Sequence, residues 1–394
     1  MDKILIWILL FLSLTKVVSL LPSFPDAVYY GGGAGSFIWL VIRAGLHISG
    51  KYLPFLLAIF LSVWVNDIPA FFRTYFRIIA FLAIVLTVGP FTTNLRLVQL
   101  RRLLLIRSLI GIRWLIAGSF AVWLIMPSLT MGRSGLFQGL TYHSMLIGPL
   151  AGISLLYGLY RFYLAETATD RCKEIGHVII SFLVILLAGS RSALGGMVLG
   201  VAMFYVRMYR HYMTRLIKIG VFFSFLLVAT SALWWPYTER LRSKMESGEN
   251  SGSLTATRDG LWQDRMNEFR DYPLFGVGFA SYNLDYVTDM SYAINVKTGT
   301  VEPGSGWLFL LSSMGLMGFL SFSVPVGYLF FSIYKNDNLG VNGSLICSLL
   351  TLLFAHLFFE GYVISSGAYL CFFLWLLLAE SEQVILNNKK RLSV

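Results

Sequence analysis

Long apolar runs recur along the whole of this chain, and they constrain everything it can fold into. A helix of about 20 apolar residues crosses the hydrocarbon core of a bilayer. Twelve such segments are expected near 4–21, 31–46, 53–66, 74–91, 110–127, 143–164, 177–189, 192–208, 217–235, 314–334, 341–359 and 362–380. The runs are continuous rather than alternating, which argues against a transmembrane β-barrel. Over 394 residues, 57% are hydrophobic and 13% charged, and a soluble domain carries nearer a quarter charged. The expected fold is therefore an all-α polytopic membrane protein of about 12 transmembrane helices with one long external loop. The first run follows Lys3 and is not followed by a small-x-small cleavage site, so a first transmembrane helix is expected there rather than a signal peptide.

Lys and Arg in the short loops orient the bundle. With the N-terminus inside, the inside segments hold Arg43, Lys51, Arg96, Arg101, Arg102, Arg107, Arg161, Arg171, Lys173, Arg207, Arg210, Arg215 and Lys218, with Lys389, Lys390 and Arg391 in the tail. An even number of spans returns the C-terminus to the same side. The chain divides into a helical part over 1–235, a loop over 236–304, and a helical part with a basic tail over 305–394. The loop holds seven Lys/Arg against ten Asp/Glu, so the formal +11 of the chain comes from elsewhere. That excess suits anionic lipid on the inner face. It matches no nucleic-acid-binding motif.

Cys172, Cys347 and Cys371 are scattered, with no disulfide or zinc spacing. No metal site and no cofactor are expected. The chemistry must then come from the polar residues that break the pattern. On the expected outer face these are Arg73, Arg77, Arg133, Arg191, Arg258 and Arg265. For Arg73 and Arg77 a headgroup contact or local ion pair weighs evenly against a functional role. Arg191 lies in Gly189-Ser190-Arg191-Ser192-Ala193-Leu194-Gly195-Gly196, between two apolar runs, where a charge is costly unless it faces a cavity or a partner.

In the loop, Trp262, Met266 and Phe269 recur at helical spacing, with Thr257 placed to cap and Pro273 to stop. Arg258 and Arg265, seven apart, share one face. Taken alone, the segment describes an amphipathic helix at the interface with its charges in water. Pro273-Leu274-Phe275-Gly276-Val277-Gly278-Phe279 then describes a tight turn packing back on the membrane. His143 opens a span, where an interfacial hydrogen bond competes with a catalytic role. His356 and Glu360, four apart, suit a structural pair or a proton relay.

Taken in order, four pieces resemble the O-antigen polymerase and O-antigen ligase superfamily. They are Gly132–Phe137 with His143; Ser190-Arg191-Ser192-Ala193; Arg258 through Trp262 to Pro273–Gly278; and Gly304-Ser305-Gly306-Trp307 followed by Gly315-Leu316-Met317-Gly318. In the ligases a His precedes the small polar residue at Ser305; here Gly304 stands in its place, which favours a polymerase. The resemblance implies a GT-C-like membrane glycosyltransferase in the bacterial inner membrane, both termini cytoplasmic and the loop periplasmic. It implies an undecaprenyl-diphosphate-linked oligosaccharide as donor, membrane lipids around it, and a chain-length regulator and flippase as partners. Arg191 and Arg258, supported by Arg265 and Arg133, would bind the diphosphate, and His143, Glu302 and Glu360 are the candidate bases. A ligase acting on lipid A core, a transporter or flippase, and a structural assembly protein are the competing readings. The long loop with its paired arginines favours an enzyme over transport, which would call for charges at the midplane and two repeated halves.

Overall fold

The computed structural model describes residues 2–65, 73–132, 135–239, 242–243, 245–246, 256–286, 294–295 and 300–392. Each of the twelve apolar segments overlaps a helix, although the helix on 4–21 ends at Leu14 and the one on 362–380 begins at Tyr369. These are α1 (Asp2–Leu14), α2 (Asp26–Ala44), α3 (Leu53–Trp64), α4 (Thr74–Val88), α5 (Leu95–Ile125), α7 (Ser144–Leu164), α8 (Ala168–Ala188), α9 (Arg191–Met208), α10 (Met213–Ala229), α13 (Gly306–Lys335), α14 (Gly340–His356) and α15 (Tyr369–Leu392). Two short helices, α6 (Pro127–Thr130) and α11 (Ser231–Trp234), lie between them, and α12 (Ala256–Asp271) lies in the loop. The described strands are two residues each: β1 (His47–Ile48) with β2 (Thr92–Thr93), and β3 (Ile294–Asn295) with β4 (Thr300–Val301), both pairs antiparallel.

Among the described residues, five stretches are long and apolar enough to cross a membrane: α5, α7, α13, 337–356 around α14, and 369–388 in α15. A sixth arises if α10 and the segment from Ser231 to Thr238, bent by 59°, form one broken span. Large apolar side chains face outward at Trp64, Trp114, Ile125, Val324 and Phe331. A water-soluble surface does not carry so much exposed apolar area, whereas lipid covers it without cost. The protein is a multi-pass helical membrane protein.

Lipid tails are as apolar as leucine, so helices in a bilayer associate through close packing of small residues. Gly196 and Gly200, one turn apart on α9, lie against α14. A Cβ at Gly196 would sit 3.0 Å from the Leu352 carbonyl oxygen, and one at Gly200 3.1 Å from that of Ser348. On α7, Gly148 meets Ser190 and Ala193, and Gly152 meets Leu352 and Met197. These glycines bring α7, α9 and α14 into one block. A second block forms around Trp375, whose ring lies 5.0–5.9 Å from Phe55, Phe81, Phe91 and Phe322 and so joins α3, α4, α13 and α15.

Two of the cations counted for inside anchoring do something else. Arg101 is buried and donates to the carbonyls of Leu86, Thr87 and Thr92, at the C-terminus of α4 and just beyond it. Arg207 donates to Ile333, Asn336 and Gly340, which closes the turn from α13 into α14. Both guanidinium groups are buried and bond carbonyls at helix ends and the turns beside them, so they serve the fold rather than a lipid headgroup.

α13 is broken. Gly315 has φ 60° and ψ −165°, outside any helix. The loop segment after α12 fills the break. Val277 N–H donates to the Ser312 carbonyl at 2.9 Å and Gly278 N–H to Ser313 at 3.0 Å; Leu316 N–H donates to Pro273 at 2.8 Å and Met317 N–H to Leu274 at 3.1 Å. The groups freed by breaking the helix are thus bonded by the loop. A Cβ on Gly276 or Gly315 would fall on the opposing backbone, and both have positive φ, so only glycine fits at either position. The tight turn expected at Pro273–Phe279 is therefore a plug seated in a split helix.

Candidate functional site

α12 does not keep its charged face in water as an amphipathic interface helix would. Its buried residues are Asp264, Arg265 and Glu268, while Trp262, Met266 and Phe269 are half-exposed. The described helix already contains Thr257, so that residue is not its cap. The helix buries charge because α13 and the loop provide partners for it. Arg265, 2% exposed, places Nη1 2.8 Å from Glu268 Oε2 and its guanidinium carbon 3.9 Å from the Tyr282 ring centre. Tyr282 stacks on Phe309 of α13, with ring centres 5.0 Å apart. Glu268 accepts the Asn283 N–H at 2.9 Å. Burial pushes its carboxyl up to about 7, against the opposing pull of Arg265, the Asn283 N–H and the Ser312 hydroxyl. Arg77 on α4 donates to the Ala280 carbonyl, so the loop is tied to a second helix rather than Arg77 to a headgroup. Sequence reasoning places Arg77 among the outer-face cations but passes over Glu268; the opposite charges of Arg265 and Glu268, three apart on a helix, are the signal that marks it.

Two turns back along α12, Arg258 occupies a different setting. Its Nη1 donates to the Gly304 carbonyl at 3.0 Å and its Nη2 to Glu360 Oε1 at 2.6 Å, while Glu302 Oε1 lies 4.0 Å from Nη1. Trp262 Nε1 donates to the same Gly304 carbonyl at 3.1 Å. Glu360 and Glu302 are part-exposed here, unlike the enclosed Arg265–Glu268 pair. Burial raises the Glu360 carboxyl to about 6 even with Arg258 beside it.

Gly304 has φ +69°, and a Cβ there would sit 2.7 Å from Leu261 Cβ and 3.4 Å from Trp262 Cδ1. No histidine fits at this position. The next residues dock on the turn after α14: Gly306 N–H donates to Leu357 at 2.7 Å, Ser305 Oγ caps α13 by accepting the Leu308 N–H, and Trp307 Nε1 donates to Phe354 at 3.1 Å.

The two roles weighed for His356 and Glu360 start from a contact that is absent. His356 is 1% exposed, and neither ring nitrogen has a hydrogen-bond partner. Glu360 turns to Arg258 instead.

Arg191 is the first residue of α9 and is half-buried. Gly189, in the left-handed region at φ 59°, ends α8, and Ser190 Oγ caps α9 by accepting the Ala193 N–H at 3.3 Å. A Cβ at Gly148 would lie 2.9 Å from Ala193 Cβ, which sets the start of α9 beside the start of α7. His143, at the N-cap of α7, is exposed and makes no side-chain cap. Gly196, five residues into α9, lies under the His356 N–H. The N-termini of α7, α9 and α13 thus open at the end of the bundle where α14 terminates and α12 sits. Their positive dipole ends and the guanidinium groups make this end suited to an anion. Arg133 lies outside the described residues.

The fold and site define a polytopic helical membrane protein in which one extramembrane loop plugs a broken helix and holds arginine–carboxylate pairs over the helix ends. Residues 177–323 match the family model described as O-antigen ligase. This is consistent with the O-antigen polymerase and ligase superfamily, and it implies a membrane glycosyltransferase-like enzyme of glycan assembly. The match runs from within α8 to the second half of α13 and includes Arg191, Arg258 and the Gly315 break. No curated protein matches the chain at a significant level.

Proposed function

We propose that the protein polymerises lipid-linked oligosaccharide repeat units on the periplasmic side of the bacterial inner membrane, using an undecaprenyl-diphosphate donor and no metal. The observation that carries this reading is Arg258. It is held at the mouth of the bundle inside the matched family domain, in hydrogen-bond contact with Gly304 and Glu360. A diphosphate leaving group gathers negative charge as the glycosidic bond breaks. Arginine stays protonated and binds phosphate oxygens with two parallel N–H groups, and donors fixed on developing charge contribute a few kcal/mol each. Arg258 and Arg191 take this role. Arg265, expected to support them, is enclosed by Glu268 and Tyr282 and instead holds α12 to α13. The acceptor hydroxyl attacks the anomeric carbon in line, with inversion, and its proton passes to a carboxylate or to His143.

In this reading all twelve helices span the membrane in a GT-C-like arrangement, and both termini are cytoplasmic. Residues 1–235 and 305–394 form the helical parts, and 236–304 form the periplasmic loop. A chain-length regulator and a flippase act with it. A ligase transferring the glycan to lipid A core is the second reading. Gly304 disfavours it, since that backbone position has neither the φ nor the space for the ligase histidine.

The test is to incubate the purified protein with defined diphosphate-linked repeat units. A ladder of lengthening products supports a polymerase; transfer only to a core acceptor supports a ligase. Arg258→Ala and Arg191→Ala should abolish the ladder while the protein still inserts, and Arg258→Lys should lower it by about 100-fold or more, because the planar fork is lost. Normal long-chain glycan from both Ala variants would remove the mechanism.

A further inference from the structure

Arg258, the group assigned above to the donor diphosphate, is paired with a carboxylate. Arg258 Nη2 is 2.6 Å from Glu360 Oε1, and Glu302 Oε1 lies 4.0 Å from Nη1. The backbone of Glu360 packs closely: its N–H donates to the His356 carbonyl at 3.1 Å, and its own carbonyl approaches Gly306 at the start of α13 so nearly that a Cβ there would sit 2.8 Å away. The backbone of Glu360 is thus set between the end of α14 and the start of α13, with its carboxylate against Arg258. It stands next to Gly304, through the Arg258 side chain that bonds both.

We propose that Glu360 is a masked general base, released when the donor diphosphate takes Arg258 from it. This rests on the reading that the site binds a lipid diphosphate. A diphosphate carries more charge than a carboxylate and offers two oxygens to the guanidinium fork, so it displaces Glu360. Glu360 then sits part-buried without its counter-charge, beside the carboxylate of Glu302. Both changes strengthen it as a proton acceptor. The acceptor hydroxyl forms its new bond to the anomeric carbon and its proton goes to Glu360. The bond from that carbon to the phosphate oxygen breaks, and the electron pair leaves with the lipid diphosphate. Glu360 passes the proton to water once Arg258 returns. Donor binding and base activation become one event, so the acceptor is activated only when a donor is present.

Two measurements on the full-length protein in nanodiscs test this: equilibrium binding of undecaprenyl diphosphate, and the single-turnover rate of transfer from a lipid-diphosphate-linked repeat unit. Glu360→Gln removes the competitor and the base together. It should tighten binding several-fold and slow transfer by about 100-fold or more. Glu360→Asp keeps the charge but shortens its reach, and should shift both quantities in the same directions by less. A Glu360 that merely positions Arg258 gives the opposite pattern: in both variants binding weakens in step with transfer, and the proposal is overturned. Unchanged transfer in Glu360→Gln also overturns it. If the wild-type protein binds no undecaprenyl diphosphate, the donor assignment itself fails, which is a separate result from failure of the masking.

Discussion

At the residue scale, α12 presents two arginines of different character, seven apart on one helix. Arg265 is sealed between Glu268 and the Tyr282 ring, while Arg258 is part-exposed and paired to part-exposed carboxylates. Removing one partner of a buried pair leaves the other charge without water, at about 3–5 kcal/mol. Arg265→Ala should therefore loosen the loop, whereas Arg258→Ala should act on transfer. Glu268 gives a signature in pH. Its folded carboxyl sits near 7, above the ordinary value of 4.5, so the folded state holds the proton more tightly than the unfolded state does. Its contribution to stability is fully present below about pH 4.5 and is lost as pH rises to about 7, then stays level. Thermal unfolding should show that decline, and Glu268→Gln, which stays neutral and keeps the shape, should remove this part of the slope. An unaltered slope in the variant would rule out Glu268 as its source.

At the scale of elements, the junction between the loop and α13 organises the site. Four backbone hydrogen bonds join Pro273–Gly278 to the break around Gly315, and they hold α12 over the start of α13 and the end of α14. Gly315→Ala would press a Cβ onto the Leu274–Phe275 backbone at a positive φ. A loss of about 3 kcal/mol or more is expected. Limited proteolysis should then cut the 236–304 loop faster than in the wild type, with transfer falling alongside. Glycine at the break is thus required by the plug, not by flexibility of the helix.

For the whole molecule, the assignment depends on which side of the membrane the loop end faces. The native cysteines provide a probe. Cys172, near the start of α8, is exposed, while Cys347 and Cys371 are buried. A membrane-impermeant maleimide should label Cys172 only from the cytoplasmic side. A Cys172→Ser protein carrying Asn267→Cys on α12 should be labelled only from the periplasmic side. Labelling of both positions from one side would contradict the proposed topology.

Much of this architecture was legible because hydropathy acts over short range. Twelve runs of apolar residues overlapped twelve helices, the polar insert contained the loop helix, and the ordered motifs at Ser190, Arg258, Pro273 and Gly315 named the family that the 177–323 match supports. Arg191 and Arg258 stood out as charges without an apolar reason. The same signal could not tell Arg258 from Arg265, because their difference lies in Tyr282, Glu268 and Glu360, which come from other parts of the chain. Nor could it show that Arg101 and Arg207 close helix ends, or that Gly304 leaves no room for a side chain. The chain's own pattern decides which segments are helical and apolar. Which charges are sealed and which stay part-exposed is decided only when distant segments meet, because the energy of a charge depends on everything packed around it.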